Sequence, residues 1–262
     1  MKARIKHLAE RAVSHRFWIE RATPRDRALR LIQSLRPIST VAPLIRIGPE
    51  GDGGYLVPDD LEGISACVSP GVSIEVGFDN AMADRGIDVY MADASVDGPP
   101  TQHEKFHFIK RYLGVVEDEM NIRLDHMGSL IPEGDLILQM DIEGAEWRVI
   151  LDASPEVLSR FRIMVIEFHD LRQIFGKFSF ELIEAAFQKI QRTHSVVHLH
   201  PNNIVKPYVS QGISVPSIME ITFYRNDRKF LSQVPVSYPN SLDCDNVPSM
   251  PSIDLPKIWW QS

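Results

Sequence analysis

The sequence predicts an α/β fold with a seven-stranded, mainly parallel sheet and helices on both faces. Short apolar runs of strand length alternate along the chain with runs whose apolar residues recur at helical spacing. This alternation is typical of parallel sheets that are covered by helices on both faces. Acids and histidines follow several of the apolar runs, at the strand ends where open α/β sheets bind ligands. These observations predict both the fold and the edge of the sheet that carries the site.

Composition limits the class of protein. The 262 residues suffice for one large α/β domain with appendages, and 44% hydrophobic and 24% charged residues are ordinary for a soluble protein. The net charge of −7 disfavours a nucleic-acid binder. Cys67 and Cys244 form no zinc-like or redox pair. The sequence has no apolar run of about 18 residues and no secretory signal, so we expect a cytoplasmic protein without a transmembrane segment.

Three regions are expected along the chain. Residues 1–40 form a basic helical extension with two helices, the second capped by Thr23. Residues 41–229 form the α/β domain, and residues 230–262 form a proline-rich tail. The basic extension is interpreted as a solvated lid or dimer arm, with a patch for an anionic surface as the alternative. The tail should pack on the body or on a second subunit, and a homo-oligomer through either extension is left open.

The apolar runs predict each strand in order. A hairpin with a glycine turn precedes the sheet at residues 45–58. The seven strands of the sheet then begin near residues 65, 87, 103, 135, 163, 196 and 218. Ile74, Phe78, Ala81 and Met82 predict a helix after the first strand, and Ser179 is expected to cap a long amphipathic helix that precedes the sixth. Residues 115–130 are expected to form a connecting loop and a short helix.

The first strand–turn–helix unit predicts a nucleotide-type cofactor. Asp93 ends the second strand 22 residues after Gly71, the spacing at which a strand-end acid binds ribose hydroxyls above a glycine turn. The GxGxxG pattern is incomplete, so the turn lacks the backbone that cradles a pyrophosphate. A nucleoside-type cofactor without a pyrophosphate therefore fits better than a dinucleotide.

Polar residues end four of the predicted strands. They are Asp93, Asp141, the run Glu167–Asp170, and His198 with His200. Each alone is as well explained by a strand that reaches the surface. Together they predict a site, because strand ends of a doubly wound sheet converge at one rim.

Two motifs resemble a known family. Gln139-Met-Asp-Ile-Glu-Gly-Ala-Glu-Trp147 resembles the fourth-strand motif of FkbM-like S-adenosylmethionine-dependent methyltransferases. The segment Cys67-Val-Ser-Pro-Gly-Val-Ser-Ile-Glu-Val-Gly-Phe-Asp79 is similar to the variant first motif of one branch of that family. The likeness covers roughly residues 45–225, and the first motif departs from the commoner family form.

The resemblance implies a Rossmann-like methyltransferase that transfers a methyl group to a hydroxyl of a small molecule or sugar. The donor, S-adenosylmethionine, would lie over the turn after the first strand, with Asp93 on its ribose and its methyl group toward Asp141. The cofactor-binding residues implied in this way are Ser69, Pro70, Gly71, Glu75, Asp93, Ala94, Ser95 and Asp141.

The residue types also suggest a mechanism. A hydroxyl is a poor nucleophile until its proton is removed, and His169, with an ordinary pKa near 6.5, is the predicted base. Asp141 and Glu143 would orient the acceptor or hold a divalent cation. The ligand types suit Mg²⁺ or a transition metal, held by Asp141, His169 and His198, with His200 as the alternative to His198.

Two other functions compete with methyl transfer. A metal-dependent glycosyltransferase would use Asp141 and Glu143 to hold a cation against a nucleotide-sugar pyrophosphate. A non-catalytic interaction module of the same fold would bind a partner through the basic N-terminus and the tryptophans of the tail.

Overall fold

The computed structural model of the protein describes residues 20–231 and 238–261. The thirteen strands in this part of the chain are β1 (Leu44–Ile47), β2 (Tyr55–Pro58), β3 (Ile64–Pro70), β4 (Asp88–Ala92), β5 (Phe106–Ile109), β6 (Tyr112–Gly114), β7 (Asn121–Arg123), β8 (Asp135–Met140), β9 (Phe161–Phe168), β10 (His194–Pro201), β11 (Tyr208–Ser210), β12 (Ile213–Val215) and β13 (Met219–Arg225). The α-helices are α1 (Arg25–Ser34), α2 (Gly77–Ala83), α3 (Leu124–Ser129), α4 (Glu146–Asp152), α5 (Pro155–Arg160) and α6 (Lys177–Gln191). Short 3₁₀ helices cover Leu171–Phe175 and Lys257–Trp259.

Seven of these strands form the central sheet, in the order β10-β13-β9-β8-β3-β4-β5. Neighbouring strands pair in parallel across β9, β8, β3, β4 and β5. Strand β13 is antiparallel to both of its neighbours, β9 and β10. The predicted α/β class, with seven strands in a mainly parallel sheet, is confirmed. Chain order reverses between β3 and β8, and the crevice beyond such a switch point is where open α/β sheets bind ligands.

The central strands are apolar throughout because both faces of the sheet are covered. All eight residues of β9 are buried. Leu138, Met164 and Phe168 point to one face and pack against α4 and α6, while Ile137, Ile163 and Val165 point to the other. The hairpin β1–β2 and helix α2 cover that second face. The hairpin predicted at residues 45–58 therefore packs on one face of the sheet, close to the ligand-binding edge.

Several helix boundaries differ from prediction. Helix α2 begins at Gly77, and Ile74, expected on its inner face, is 95% exposed. Polar side chains explain the late start: Ser73 Oγ accepts a hydrogen bond from Glu75 N–H, and Glu75 Oε1 accepts one from Gly77 N–H. These local bonds compete with a helix over the same residues.

Other element boundaries also differ from prediction. Helix α1 starts at Arg25 after Pro24, and α6 starts at Lys177, so neither Thr23 nor Ser179 is the cap. The single strand expected over residues 103–113 is two strands, β5 and β6, and the region 115–130 contains β7 as well as α3. Ser154 caps an additional helix, α5, directly before β9.

The ends of the chain pack on the body where they are described. The first of the two helices expected in the basic extension lies outside the described residues, and the second is α1. In the tail, the Trp259 side chain has 0% exposure, lies in the same apolar core as α1, and donates a hydrogen bond from Nε1 to Ser214 O at 3.1 Å. In the described ranges, no helix is long and apolar enough to cross a membrane.

We expect Trp259→Ala to lower the free energy of unfolding by about 3–5 kcal/mol, because it empties a fully buried aromatic site. Urea denaturation followed by circular dichroism measures the change. Trp260→Ala, in a half-buried neighbour, is the matched control and should cost clearly less. Equal losses of unfolding free energy in the two variants would show that burial of Trp259 does not make the tail part of the core.

Candidate active site

A cleft of about 440 Å³ opens at the carboxyl edge of the sheet, beyond β3, β4 and β8. It lies at the topological switch point, and its size is within the range of small-molecule sites. It is lined by Gly71, Val72, Ser73, Ala92, Asp93, Ser95, Tyr112, Leu113, Asn121, Asp141, Ile142, Glu143, Ala145 and Arg148.

Gly71 allows the loop after β3 to approach the loop after β8. Its φ of +92° is in the region that favours glycine, and a Cβ at this position would lie 1.7 Å from the carbonyl oxygen of Asp141. Any other residue would therefore force the two loops apart and reshape the cleft between them.

Asp93 ties the glycine loop to the end of β4. Its Oδ2 accepts a hydrogen bond from Val72 N–H at 3.0 Å, and its Oδ1 accepts bonds from the N–H and hydroxyl of Ser95, both at 2.6 Å. The carboxylate lines the cleft, as predicted for a cofactor ligand, but it also holds the two loops that form the cleft wall.

The predicted cofactor residues do not all reach the cleft. Gly71, Asp93, Ser95 and Asp141 line it, while Pro70 and Ala94 do not. Ser69 is buried behind it and donates to Gln139 Oε1 at 2.7 Å. Tyr112, Asn121 and Arg148 also line the cleft. Sequence reasoning missed these three. Tyr112 lies at the end of the strand expected over residues 103–113, Asn121 lies in the region expected to connect elements, and Arg148 looks like any solvent-facing helix residue.

A second, smaller pocket adjoins the first. Gly71, Ser73 and Asp141 line both, and the second is completed by the β1–β2 hairpin and α2. Its other lining residues are Asp52, Gly53, Tyr55, Glu75, Val76, Phe78, Asp79 and Gln139. Glu75, predicted to bind the cofactor, lies in this second pocket.

The turn after β8 is organised by a buried carboxylate. Glu146 has 0% exposure, and its Oε1 accepts hydrogen bonds from the N–H groups of Ile142 and Gly144, each at 3.1 Å. The turn places Glu143 at φ +55° and Gly144 at φ +95°. Glu143 is therefore a glutamate in the left-handed region, with its side chain 87% exposed at the rim of the cleft. Sequence reasoning gave Glu146 no role, although it closes the motif Asp141-Ile-Glu-Gly-Ala-Glu.

Glu146 also fixes His169, which follows β9. His169 Nδ1 lies 3.1 Å from Glu146 Oε1, and Trp147 Nε1 donates to the carbonyl oxygen of His169 at 2.9 Å. The other ring nitrogen, Nε2, is 3.8 Å from Asp141 Oδ1, 3.5 Å from Glu143 Oε2 and 3.9 Å from Glu167 Oε1. The structure thus brings together the three predicted catalytic residues, Asp141, Glu143 and His169.

The carboxylates around His169 change its chemistry. Burial lowers the pKa of the imidazole, but the hydrogen bond to Glu146 and the charges of Glu146, Asp141 and Glu167 outweigh it and raise the pKa to about 9. His169 therefore carries its proton at neutral pH. This argues against the predicted role of His169 as a base with an ordinary pKa.

Acids lie side by side at the ends of β8, β9 and β13. Burial raises the pKa of Asp141 to about 6 and that of Glu220 to about 8, and it raises the pKa of Glu167 well above its ordinary value. Glu220 is directly opposite Glu167 in the sheet register, so like charges add to the effect of burial. A carboxylate of pKa about 6 is ionised yet basic at neutral pH.

His198 and His200 contact the tail. His198 Nε2 lies 2.8 Å from Asp243 Oδ1, and its ring stacks on Tyr238. His200 Nε2 lies 3.2 Å from Asn246 Oδ1. The predicted metal set of Asp141, His169 and His198 is therefore not brought together. Within the described residues, the group that could hold a metal ion is Asp141, Glu167 and His169.

Comparison with known proteins gives a family match. Residues 72–229 match the family model of the methyltransferase FkbM domain. Among curated proteins, none matches the sequence. The matched range includes Asp93 and the whole turn after β8.

Three similar solved structures are methyltransferases. An rRNA methylase from Streptococcus thermophilus is 12% identical with a TM-score of 0.37, over 62% of this chain and 89% of its own. A TehB-like S-adenosylmethionine-dependent methyltransferase from Corynebacterium glutamicum is 12% identical with a TM-score of 0.35, over 64% and 84%. The N-methyltransferase NodS from Bradyrhizobium japonicum is 11% identical with a TM-score of 0.31, over 63% and 87%.

We expect Gly71→Ala to weaken S-adenosylmethionine binding at least about tenfold, or about 1.4 kcal/mol, because the new Cβ clashes with the backbone of the loop after β8 and deforms the cleft wall. Isothermal titration calorimetry measures the affinity. Gly86→Ala is the matched control: Gly86 also has a positive φ, but a Cβ there meets nothing within 4 Å. It should cost about 1–2 kcal/mol of stability and leave the affinity unchanged. Equal affinities in both variants would contradict the role given to Gly71.

Asp79, which lines the second pocket, is expected to make the free energy of unfolding depend on pH. Burial raises the pKa of Asp79 to about 7, and Oδ1 has no hydrogen-bond partner in the described structure. The folded state therefore keeps this carboxyl protonated at pH values where the unfolded chain has released the proton. The resulting penalty grows as the pH rises from about 4 to 7 and is constant above that.

We expect wild type to lose about 2–3 kcal/mol more stability than Asp79→Asn between pH 5 and pH 8, at about 1.4 kcal/mol per pKa unit. Urea denaturation at the two pH values measures the difference. Asp84→Asn, an exposed acid after the same helix, should behave like wild type. Parallel pH profiles for wild type and Asp79→Asn would refute the prediction.

Proposed function

This chain belongs to the FkbM methyltransferase family, and we propose that it transfers the methyl group of S-adenosylmethionine to a hydroxyl oxygen of a small molecule or sugar. The single observation that carries the proposal is that Asp141 lines both pockets. The second pocket has a volume of about 30 Å³ and holds only a water-sized group, so an acceptor would reach the Asp141 carboxylate from the larger cleft, where it would meet the donor.

The larger cleft suits S-adenosylmethionine. Because Gly71 has no Cβ, the loop after β3 can lie close to the backbone of the loop after β8. Asp93 lies at the end of β4, where a ribose hydroxyl can reach its carboxylate. Arg148 and Asn121 add polar groups to the same wall. When bound, this cofactor supplies an electrophilic methyl group, whose bond to sulfur breaks with the electron pair left on sulfur.

Asp141 is the proposed base. With a pKa of about 6, its carboxylate is ionised at neutral pH and can accept the acceptor's hydroxyl proton. An oxygen lone pair of the acceptor would form the new carbon–oxygen bond as that proton passes to Asp141. The protonated His169, 3.8 Å from Asp141 Oδ1, would orient the carboxylate and balance part of the surrounding negative charge.

The charge around the junction favours a neutral hydroxyl acceptor. The acids around the second pocket and His169 include Asp52, Glu75, Asp141, Glu143 and Glu146. Such a field repels phosphates, which disfavours a nucleic-acid acceptor, while carboxylates accept hydrogen bonds from sugar hydroxyls. The glycosyltransferase alternative also needs a phosphate-bearing donor, and the family match is to methyltransferases instead.

The experiment incubates the protein with S-adenosylmethionine labelled with ¹³C in its methyl group and with a panel of sugars, hydroxylated aromatics, amines and a ribosomal RNA fragment. We expect label on the oxygen of a hydroxylated small molecule, identified by the ¹³C chemical shift. Asp141→Asn should slow transfer about 10²–10⁴-fold, the usual contribution of a general base, while calorimetry shows the cofactor affinity retained.

Asp170→Asn is the matched control, because Asp170 is a neighbouring acid that pairs with Arg172 and has a left-handed φ that asparagine tolerates. Its transfer rate should equal that of wild type. Label found only on amine nitrogen or RNA would overturn the acceptor assignment. Unchanged transfer in Asp141→Asn would show that Asp141 is not the base.

A further inference from the structure

We propose that Asp141, Glu167 and His169 form a binding site for a divalent cation beside the junction of the two pockets, with Asp141 as the residue that reaches both. The inference deepens the proposed function, because the cation would hold the acceptor hydroxyl whose methylation is proposed above. One donor atom of each residue lies within 4.8 Å of the others.

The spacing of the donor atoms suits a single ion. Ligand atoms bound at about 2.0–2.2 Å lie roughly 3–4.3 Å apart around one cation. His169 Nε2 is 3.8 Å from Asp141 Oδ1 and 3.9 Å from Glu167 Oε1. A shift of side chains by less than a bond length would therefore bring all three donors onto a common ion.

Unpartnered carboxylate atoms provide an independent observation. Glu167 is 4% exposed. Its Oε1, the atom 3.9 Å from His169 Nε2, accepts a hydrogen bond from Asn202 Nδ2 at 3.0 Å, whereas its Oε2 is buried without a hydrogen-bond partner in residues 20–231 and 238–261. Asp141 Oδ1, the atom that faces His169, is likewise buried and unpartnered there. A buried carboxylate oxygen without a partner is costly, and a bound cation would satisfy it.

The surroundings of His169 match those of a metal ligand. Ligating histidines commonly bond their second ring nitrogen to a carboxylate, which fixes the ring and the tautomer. Glu146 provides this contact at 3.1 Å from Nδ1, and its own position is fixed by the turn after β8. Nε2 is thereby directed at Asp141 and Glu167.

The donor set indicates the class of ion and its chemistry. Two carboxylates and one imidazole suit Mn²⁺ or another first-row divalent ion better than Ca²⁺, and Mg²⁺ would compete through the oxygens. The bound cation would lower the pKa of a hydroxyl that it contacts. Asp141 would bind through Oδ1 and keep Oδ2 for the hydroxyl proton. His169, which is protonated without a cation, would release its Nε2 proton when the cation binds, and the cation would then take over the positive charge beside Asp141.

The test titrates Mn²⁺ alone into the protein and follows free Mn²⁺ by electron paramagnetic resonance. We expect one saturable site per chain that Mg²⁺ displaces. Glu167→Gln and Asp141→Asn should each weaken binding more than tenfold. Glu146→Gln should weaken it about 10–100-fold, the usual effect of removing a group that orients a ligand. Glu117→Gln, at an exposed carboxylate 2.7 Å from His126, is the matched control and should bind like wild type.

Calorimetry with S-adenosylmethionine on the same variants separates this inference from the proposed function. Cofactor binding without a saturable Mn²⁺ site overturns the cation site and leaves the methyltransferase proposal intact. Mn²⁺ binding that is as strong in Glu167→Gln as in wild type also overturns it, because the ion then lies elsewhere. Absence of cofactor binding in the wild type would instead overturn the proposed function.

Discussion

The hydrogen bonds of the Glu146 carboxylate are the interaction on which the rest of the site depends. One oxygen, Oε1, contacts the backbone of the turn after β8 at Ile142 and Gly144 and the ring of His169 after β9. The side chain is fully buried, and Oε2 has no hydrogen-bond partner among the described residues, so breaking the bonds of Oε1 would leave both oxygens of a buried carboxylate unpaired. Two neighbouring strand ends are in this way joined through one atom, which determines where Asp141 and His169 can lie.

The register of the sheet then places carboxyl groups side by side at the same edge. Because β13 runs antiparallel to β9, Glu220 at its beginning meets Glu167 at the end of β9. The tail provides hydrogen bonds to these acids: Asn246 Nδ2 donates to Glu220 Oε1 at 2.7 Å and to Asp52 Oδ1 at 3.1 Å. Burial also keeps Glu220 protonated at neutral pH, with a pKa of about 8. The tail is therefore part of the polar wall of the site as well as of the apolar core.

Strand positions could be predicted from the sequence, because a run such as Ile163-Met-Val-Ile is apolar in every residue, has the length of a strand and is rich in β-branched residues, which together favour a buried strand. The convergence of Asp93, Asp141 and His169 followed from the same rule about parallel strand ends. The partners of these residues could not be predicted. Glu146 looks like an ordinary acidic helix start, and the pairing of His198 with Asp243 depends on the path of an irregular tail. The pKa of His169 depends on Glu146 and on carboxylates from two strand ends, which local sequence cannot place at a distance.

The left-handed backbone at Glu143 limits which residues suit this position at the rim of the cleft. Glycine and asparagine adopt this conformation with less strain than glutamate, by about 1 kcal/mol. Replacement by either would stabilise the turn and, at the same step, remove a carboxylate from beside His169. Stability and local charge are thus opposed at one residue. A sequence that keeps glutamate at position 143 retains the carboxylate beside His169 at a cost in stability. Substitutions selected for stability alone would remove this carboxylate.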